Sequence, residues 1–320
     1  MDITRAPSER TWSPLTRELD KATSPVTLFF KQRYPNVKAI QKRYREGAGP
    51  LMLDTNCAHT GTLGTAFDWA VRFLLHPQPR PSLALYGARR LPLLETATID
   101  VIHRLGITPS PDGSLGQATF DGPAAGTTVD RKLLLRGCWV LALLTEVSRA
   151  GARPGSPLAQ FGPLEEPDAD ELLALATEHD LAELGELSDL AADRLLPQLF
   201  ERRGRWALGP TFDGSILMNA DADFIAARLL IELKTTLGDK RSDGTRRAGL
   251  DGPTLYQMIG YALLDFSDQF ALDTVGLYSA RYGHLALWPL HELLSELAGR
   301  SVDLATERRV LRTVLQRQVA

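Results

Sequence analysis

Apolar residues recur along this chain with two different periods, and the change from one to the other falls near Gly204. Before it the spacing is helical. Phe67, Val71, Leu74 and Leu75 share one face of a helix expected over 61–76, entered through the glycine-rich Gly61-Thr62-Leu63-Gly64-Thr65. Helical patterns continue near 93–105, 130–150, 168–178 and 180–200, separated by Gly-, Pro-, Asp- and Ser-rich loops at 107–128 and 150–167. Leucine, alanine and glutamate, which lose little freedom in a helix, dominate 168–200. Near the start, Ser24-Pro25 precedes an apolar run, a serine cap followed by a proline suited to a first turn. Residues 1–24 read as an arm or a loosely packed start.

After Gly204 the character becomes strand-like, over 206–236 and again over 274–288. In the second stretch Val275–Ala280 and Leu285–Trp288 flank Arg281-Tyr282-Gly283-His284, which reads as a β-hairpin with His284 as a turn residue. A polar basic loop (238–253) and a helix (254–266) lie between the two stretches, and helices over 290–299 and 303–317 close the chain. No fixed-period repeat is present.

Composition narrows the picture by exclusion. A net charge of −3 means that a nucleic-acid partner would be held by local basic patches or bridging metal ions, not by a globally basic surface. Two cysteines, Cys57 and Cys138, cannot form a four-cysteine zinc or iron–sulfur site, nor a disulfide framework, and a reducing cytoplasm is the default expectation. The six histidines show no HxxxH or HExxH spacing. The polar start lacks the apolar stretch of a signal peptide. The longest apolar run, 133–144, contains Arg136 and falls short of the ~20 residues a membrane span needs, so it reads as a buried helix with Cys138 in its core. No membrane partner is expected.

The stretch with chemistry runs from Asn219 to Thr236. If Leu229–Thr235 is a strand, side chains alternate. Leu229, Ile231 and Leu233 then form an apolar face ready to pack on a helix, while Glu232 and Lys234 project together from the other. Both are costly to bury unless paired or bound. Asp223 lies nine residues before Glu232, and a hairpin turning near Ala226–Arg228 would set the two carboxylates side by side. Carboxylates so placed repel each other unless a cation sits between them, and oxygen-only ligation suits Mg²⁺ or Mn²⁺. Lys234 beside such an ion can orient or deprotonate a water or neutralise a phosphate, the grouping that metal-assisted phosphodiester hydrolysis needs. A plain surface ion pair is the competing reading of Glu232 and Lys234. In the following helix Gln257 and Tyr261, four apart, share a face; alone they would be a polar stripe. Asp221 is a further carboxylate or a turn residue.

Taken together these residues resemble the PD-(D/E)XK nuclease superfamily, in particular its RecB-like branch: Asp223, then Ile231-Glu232-Leu233-Lys234 on an apolar strand, then Gln257-x-x-x-Tyr261. Gly64-Thr65-Ala66-Phe67-Asp68 is similar to the branch's G-T-x-x-H helix, with Asp68 in place of the histidine. The resemblance implies an α/β fold, a restriction-endonuclease-like core (a small mixed sheet flanked by helices) with a helical insertion. On that reading 1–60 is an N-terminal basic helical segment, 61–90 the first core helix region, 91–203 the insertion and 204–320 the nuclease core.

It also implies a Mg²⁺/Mn²⁺-dependent nuclease acting on nucleic acid, with DNA the expected substrate. Asp223, Glu232, the Leu233 carbonyl and Asp68 are then the metal shell, with Lys234, Gln257 and Tyr261 completing the catalytic set. Free-standing relatives serve anti-phage defence or DNA repair. No GxxxxGK[ST] is present, so unwinding would need a partner. Two basic clusters are candidate backbone contacts. One is Lys240, Arg241, Arg246 and Arg247; the other is Lys42 and Arg43 within 31–45, otherwise a solvated helix face. The competing expectations are a nuclease-like fold that binds DNA or a protein partner without cutting, and a structural subunit docked through 91–203. A protein partner or homo-oligomer fits any of these.

Overall fold

The computed structural model describes residues 14–55, 57–122, 126–153, 155–161 and 166–317. The chain divides into two compact units, one built from 1–51 and 202–320 and the other from 52–201. Of the expected N-terminal arm, 1–13 lie outside the described residues. The part that is described is a packed helix rather than a loose start: α1 (Leu15–Asp20) buries Leu15 and Leu19 in the core of the first unit. Helix α2 (Pro25–Arg33) begins as its sequence predicts, with Ser24 Oγ accepting the Val26 N–H at 3.2 Å. Pro35 separates it from α3 (Val37–Gly47), because proline lacks the N–H and disfavours helical geometry in its predecessor.

The second unit is helical apart from a short extended segment, β1 (Thr119–Asp121): α4 (Thr60–Leu75), α5 (Ser82–Arg89), α6 (Glu95–Arg104), α7 (Arg131–Ala150), α8 (Ala169–Leu173), α9 (Glu178–Arg194) and α10 (Leu196–Leu199). Capping boxes open α8 (Asp168 with Glu171) and α9 (Thr177 with Asp180), each closing two otherwise unpaired N–H groups. The run 133–144 is the buried helix expected of it. Cys138 and Trp139 are fully enclosed in α7, while Arg136 extends to the Leu173 carbonyl and Glu178. Helices α5 and α7 approach so closely that a Cβ at Gly87 would lie 1.9 Å from the Leu144 carbonyl oxygen. No helix among the described residues is long and apolar enough to cross a membrane.

The first unit is mixed α/β. Strands β2 (Arg205–Leu208), β3 (Phe224–Ala226), β4 (Leu229–Lys234), β7 (Thr274–Ser279) and β8 (His284–Pro289) lie side by side in that order. β3 and β4 form a hairpin in which Ala226 pairs with Leu229, so Ala227 and Arg228 make the turn, Ala227 at φ 59°. β4 runs parallel to β7, and β7 antiparallel to β8. Between β4 and β7 the chain makes a small ribbon, β5 (Asp239–Lys240) with β6 (Arg246–Arg247), then α11 (Gly252–Leu264), which is N-capped by Asp251.

The central strand β4 is covered on both faces. Leu229, Ile231 and Leu233 are buried, but α11 lies on the opposite face, with Leu255 and Ile259 sharing a core with Leu230, Val275 and Leu277. A strand buried on both sides is apolar at both parities except where function demands otherwise. Glu232 and Lys234 are therefore the anomaly on a floor that is otherwise hydrophobic. Helices α12 (Leu290–Ala298) and α13 (Leu304–Gln316) close the unit. Buried Glu307 on α13 accepts from Arg33, Tyr34 and Arg300. Its neighbour Arg308 donates to the Ala262 carbonyl at 3.1 Å and to Asp268 at 2.8 Å, which fixes α13 on α11.

Candidate active site

The register of the β3–β4 hairpin decides which carboxylates meet. Phe224 opposes Ile231, so one residue further on Asp223 lies across from Glu232, as the nine-residue separation predicts. Asp223 Oδ2 accepts the Leu233 N–H at 2.6 Å, a contact that pins its carboxylate to the strand beside Glu232. Glu232 is 4% exposed. Its Oε1 accepts from Lys234 Nζ at 2.7 Å and from Gln257 Nε2 at 2.8 Å. Its Oε2 is buried with no hydrogen-bond partner.

Helix α11 brings the other two groups. Gln257 accepts from Lys234 Nζ at 3.1 Å through Oε1 and donates from Nε2 to Tyr261 Oη at 2.8 Å. Glu232, Lys234, Gln257 and Tyr261 thus form one hydrogen-bonded group, with Asp223 held beside it on the Leu233 N–H. The electrostatics agree with the geometry. Burial works against the Lys234 ammonium, but the Glu232, Asp223 and Asp251 carboxylates outweigh it and hold its pKa above the usual lysine value. Burial, then the charges of Glu232 and Asp221, push the Tyr261 phenol well above its usual range, so it is a neutral hydroxyl. Asp221 therefore belongs to the acidic surroundings of this site.

Asp68 is in the second unit. Both of its oxygens are taken by Arg72 of the next turn, at 2.9 and 2.7 Å, in a buried pair. Among the described residues no group of three or more His, Cys, Asp and Glu side chains is arranged to hold a metal ion. The donors that converge are two carboxylates, Asp223 and Glu232, next to the Leu233 peptide. Such a hard-oxygen set suits Mg²⁺ or Mn²⁺, since Mg²⁺ commonly takes one or two carboxylates and keeps several waters. The orphaned Glu232 Oε2 fits the same chemistry, because a buried carboxylate oxygen without a partner costs roughly 1–3 kcal/mol or more unless a cation or donor satisfies it.

Several residues that sequence reasoning passed over support the site. Arg281, 1% exposed, donates from Nε to the Thr235 carbonyl at 2.6 Å, and Tyr282 Oη donates to the Leu237 carbonyl at 2.6 Å. Both brace the backbone that leaves Lys234. Asp251 adds its charge to the field at Lys234, and its place before Gly252-Pro253 is a helix-start signal that could have flagged it. His284 opens β8 opposite Ser279 instead of sitting in the turn, beside the Tyr44 ring, and burial lowers its pKa.

The two basic clusters differ. On α3, Arg43 is held by Glu296 at 2.5 and 2.7 Å, and Lys42 lies 3.8 Å from Glu46, so both have carboxylate partners. In the ribbon, Arg247 lies 3.5 Å from Asp239, whereas Lys240 and Arg241 are exposed and make no salt bridge among the described residues.

Comparison with protein-family models, with curated proteins and with solved structures returned no match.

Proposed function

We propose that this protein is a metal-dependent nuclease with a restriction-endonuclease-like core of the PD-(D/E)XK type, hydrolysing phosphodiester bonds in DNA. One observation carries the reading: Asp223 and Glu232 converge across a hairpin next to a charged Lys234, and Glu232 keeps one buried oxygen unpartnered. A plain ion pair has no need of a second carboxylate or of an unsatisfied one. Asp223, Glu232 and the Leu233 carbonyl would hold Mg²⁺ or Mn²⁺, and Asp68 is left out of the set because Arg72 occupies both its oxygens. When bound, the ion supplies Lewis-acid polarisation of water and of a phosphoryl oxygen.

The chain's own groups supply the rest. Lys234, whose ammonium the surrounding carboxylates favour, is a donor and a positive charge beside the site. It is suited to orient the attacking water by donating to one of the water's lone pairs and to stabilise the charge that develops on the phosphate. Gln257 fixes that ammonium and the Glu232 carboxylate together. Tyr261, kept neutral, anchors Gln257 by accepting its amide N–H.

The test is incubation of the purified protein with linear and circular DNA and Mg²⁺ or Mn²⁺, beside Lys234→Ala. A rate loss on the order of a hundredfold or more in the variant supports the reading. Wild-type protein that cuts neither DNA with either metal refutes it.

A further inference from the structure

The ribbon that leaves the site carries an arrangement that the fold does not explain. Lys240 on β5 and Arg246 on β6 are directly paired across the two strands. Like charges opposite one another in a ribbon repel and destabilise it. Among the described residues no salt bridge relieves Lys240, and Arg246 donates to the Gly238 carbonyl, at 3.4 Å. Arg241, next along, is exposed and likewise makes no salt bridge among the described residues.

The ribbon is nevertheless held in one shape. At its tip Asp243 accepts from the Thr245 N–H at 2.9 Å and hydroxyl at 2.6 Å, and the Arg241 N–H donates to the Thr245 carbonyl at 2.8 Å. At its base Gly238 has φ +69°, and a Cβ there would lie 2.1 Å from the Arg247 carbonyl oxygen. The Tyr282 hydroxyl holds the Leu237 carbonyl just before it. A preformed pair of strands that sets Lys240 and Arg246 opposite each other, with no salt bridge to either among the described residues, offers its cations to an anion.

We infer that this ribbon enters the major groove of duplex DNA and sets Lys240, Arg241 and Arg246 on its phosphates, so that the substrate of the site is double-stranded DNA. The inference rests on reading Asp223, Glu232 and Lys234 as a phosphodiester site. Groove dimensions decide the class. A B-form major groove, about 12 Å wide and about 8.5 Å deep, admits a two-stranded β-ribbon, whereas the minor groove, about 6 Å wide, does not. The ribbon is narrow, two paired residues on each strand closed by the 241–245 turn, so its width fits the major groove and its cations lie at the rim where the phosphates run. The major groove of duplex RNA is too deep and narrow for side chains to read. A single strand offers no groove at all.

The test is fluorescence anisotropy in EDTA with a DNA duplex, its single strand and the RNA duplex of the same sequence. Wild type is compared with Lys240→Glu/Arg241→Glu, with the charge-keeping Lys240→Arg/Arg241→Lys, and with Arg309→Glu/Arg317→Glu as a control for bulk charge. Wild type should bind the DNA duplex tightest. The ribbon reversal should weaken that binding at least tenfold, and the slope of log K against log salt should fall by about 2, for two lost phosphate contacts. The charge-keeping and control variants should stay near wild type. Unchanged duplex affinity in the ribbon reversal, or a wild-type preference for single strand or duplex RNA, overturns the inference and leaves the hydrolytic reading intact. Ribbon-dependent duplex binding without any cleavage in Mg²⁺ or Mn²⁺ supports the ribbon and overturns the hydrolytic reading alone.

Discussion

Asp223→Asn separates a metal site from a structural ion pair, because the two assign opposite consequences to the same atom. In the folded chain Asp223 Oδ2 accepts the Leu233 N–H at 2.6 Å. The asparagine carbonyl can accept the same bond, so without metal the variant loses the charge-assisted part of it, about 1 kcal/mol, together with the attraction between the Asp223 charge and Lys234. That loss is opposed by removal of a carboxylate that faces Glu232 across the hairpin. In EDTA the two proteins should therefore melt within a few degrees of each other. Metal changes the comparison. An ion that binds only the folded state at about a hundred times its Kd adds about 2.7 kcal/mol. For a cooperative unit of 150–250 residues that is a rise of roughly 5–10 °C. Wild type should gain this on titration with Mg²⁺ or Mn²⁺ in a thermal melt followed by circular dichroism, and Asp223→Asn should not. A wild-type melting point indifferent to both metals, or an equal gain in the variant, would refute the reasoning.

Other changes read other parts of the structure. Gln257→Leu keeps the volume on α11 but removes the amide that holds Lys234 and Glu232; metal affinity or kcat should fall about 10–100-fold, measured by calorimetric titration and DNA cleavage. Gly238→Ala meets the Arg247 carbonyl and a left-handed φ, so it should cost about 1–3 kcal/mol locally, seen as faster amide exchange across the ribbon. Glu307 has its pKa lowered: burial opposes the charge, but Arg33, Tyr34 and Arg300 prevail. Its contribution is thus present above the ordinary glutamate pKa and lost as pH falls through the folded value, so chemical-denaturation stability of wild type should drop faster with acidification below about pH 5 than that of Glu307→Gln. Equal slopes would show that this cluster does not drive acid sensitivity.

Much of this was legible from residue order, for reasons that are local. The β3–β4 hairpin follows from a short separation between two apolar runs, and the pairing of Asp223 with Glu232 is fixed once its turn falls at Ala227. Gln257 and Tyr261 share a face by helical geometry alone. What escaped the reading depends on contacts distant in sequence. The face chosen by α11 is set by where β7 lies, and strand periodicity treats both faces of β4 alike. Arg281 and Tyr282 look like turn residues until the strand they brace is seen beside them. The Asp68–Arg72 pair is legible in the sequence, since residues four apart on one helix share a face.

The polar groups of the site are joined in a way that leaves one atom open. Lys234 has only donors and the Glu232 carboxylate only acceptors, so a side chain touching both must present an acceptor to one and a donor to the other. Gln257 does this with a single amide, Oε1 toward Lys234 and Nε2 toward Glu232, and passes a second N–H to Tyr261. A glutamate there could not donate to Glu232, and a leucine could do neither. These bonds converge on Glu232 Oε1, and none reaches Oε2. A purely structural network would gain by closing that last valence, since a half-satisfied buried cluster is worse than an apolar one. The chain instead spends three ordered side chains on orienting a carboxylate and leaves its second oxygen open on the residue that faces Asp223 across the hairpin, an arrangement that makes physical sense when a cation completes it.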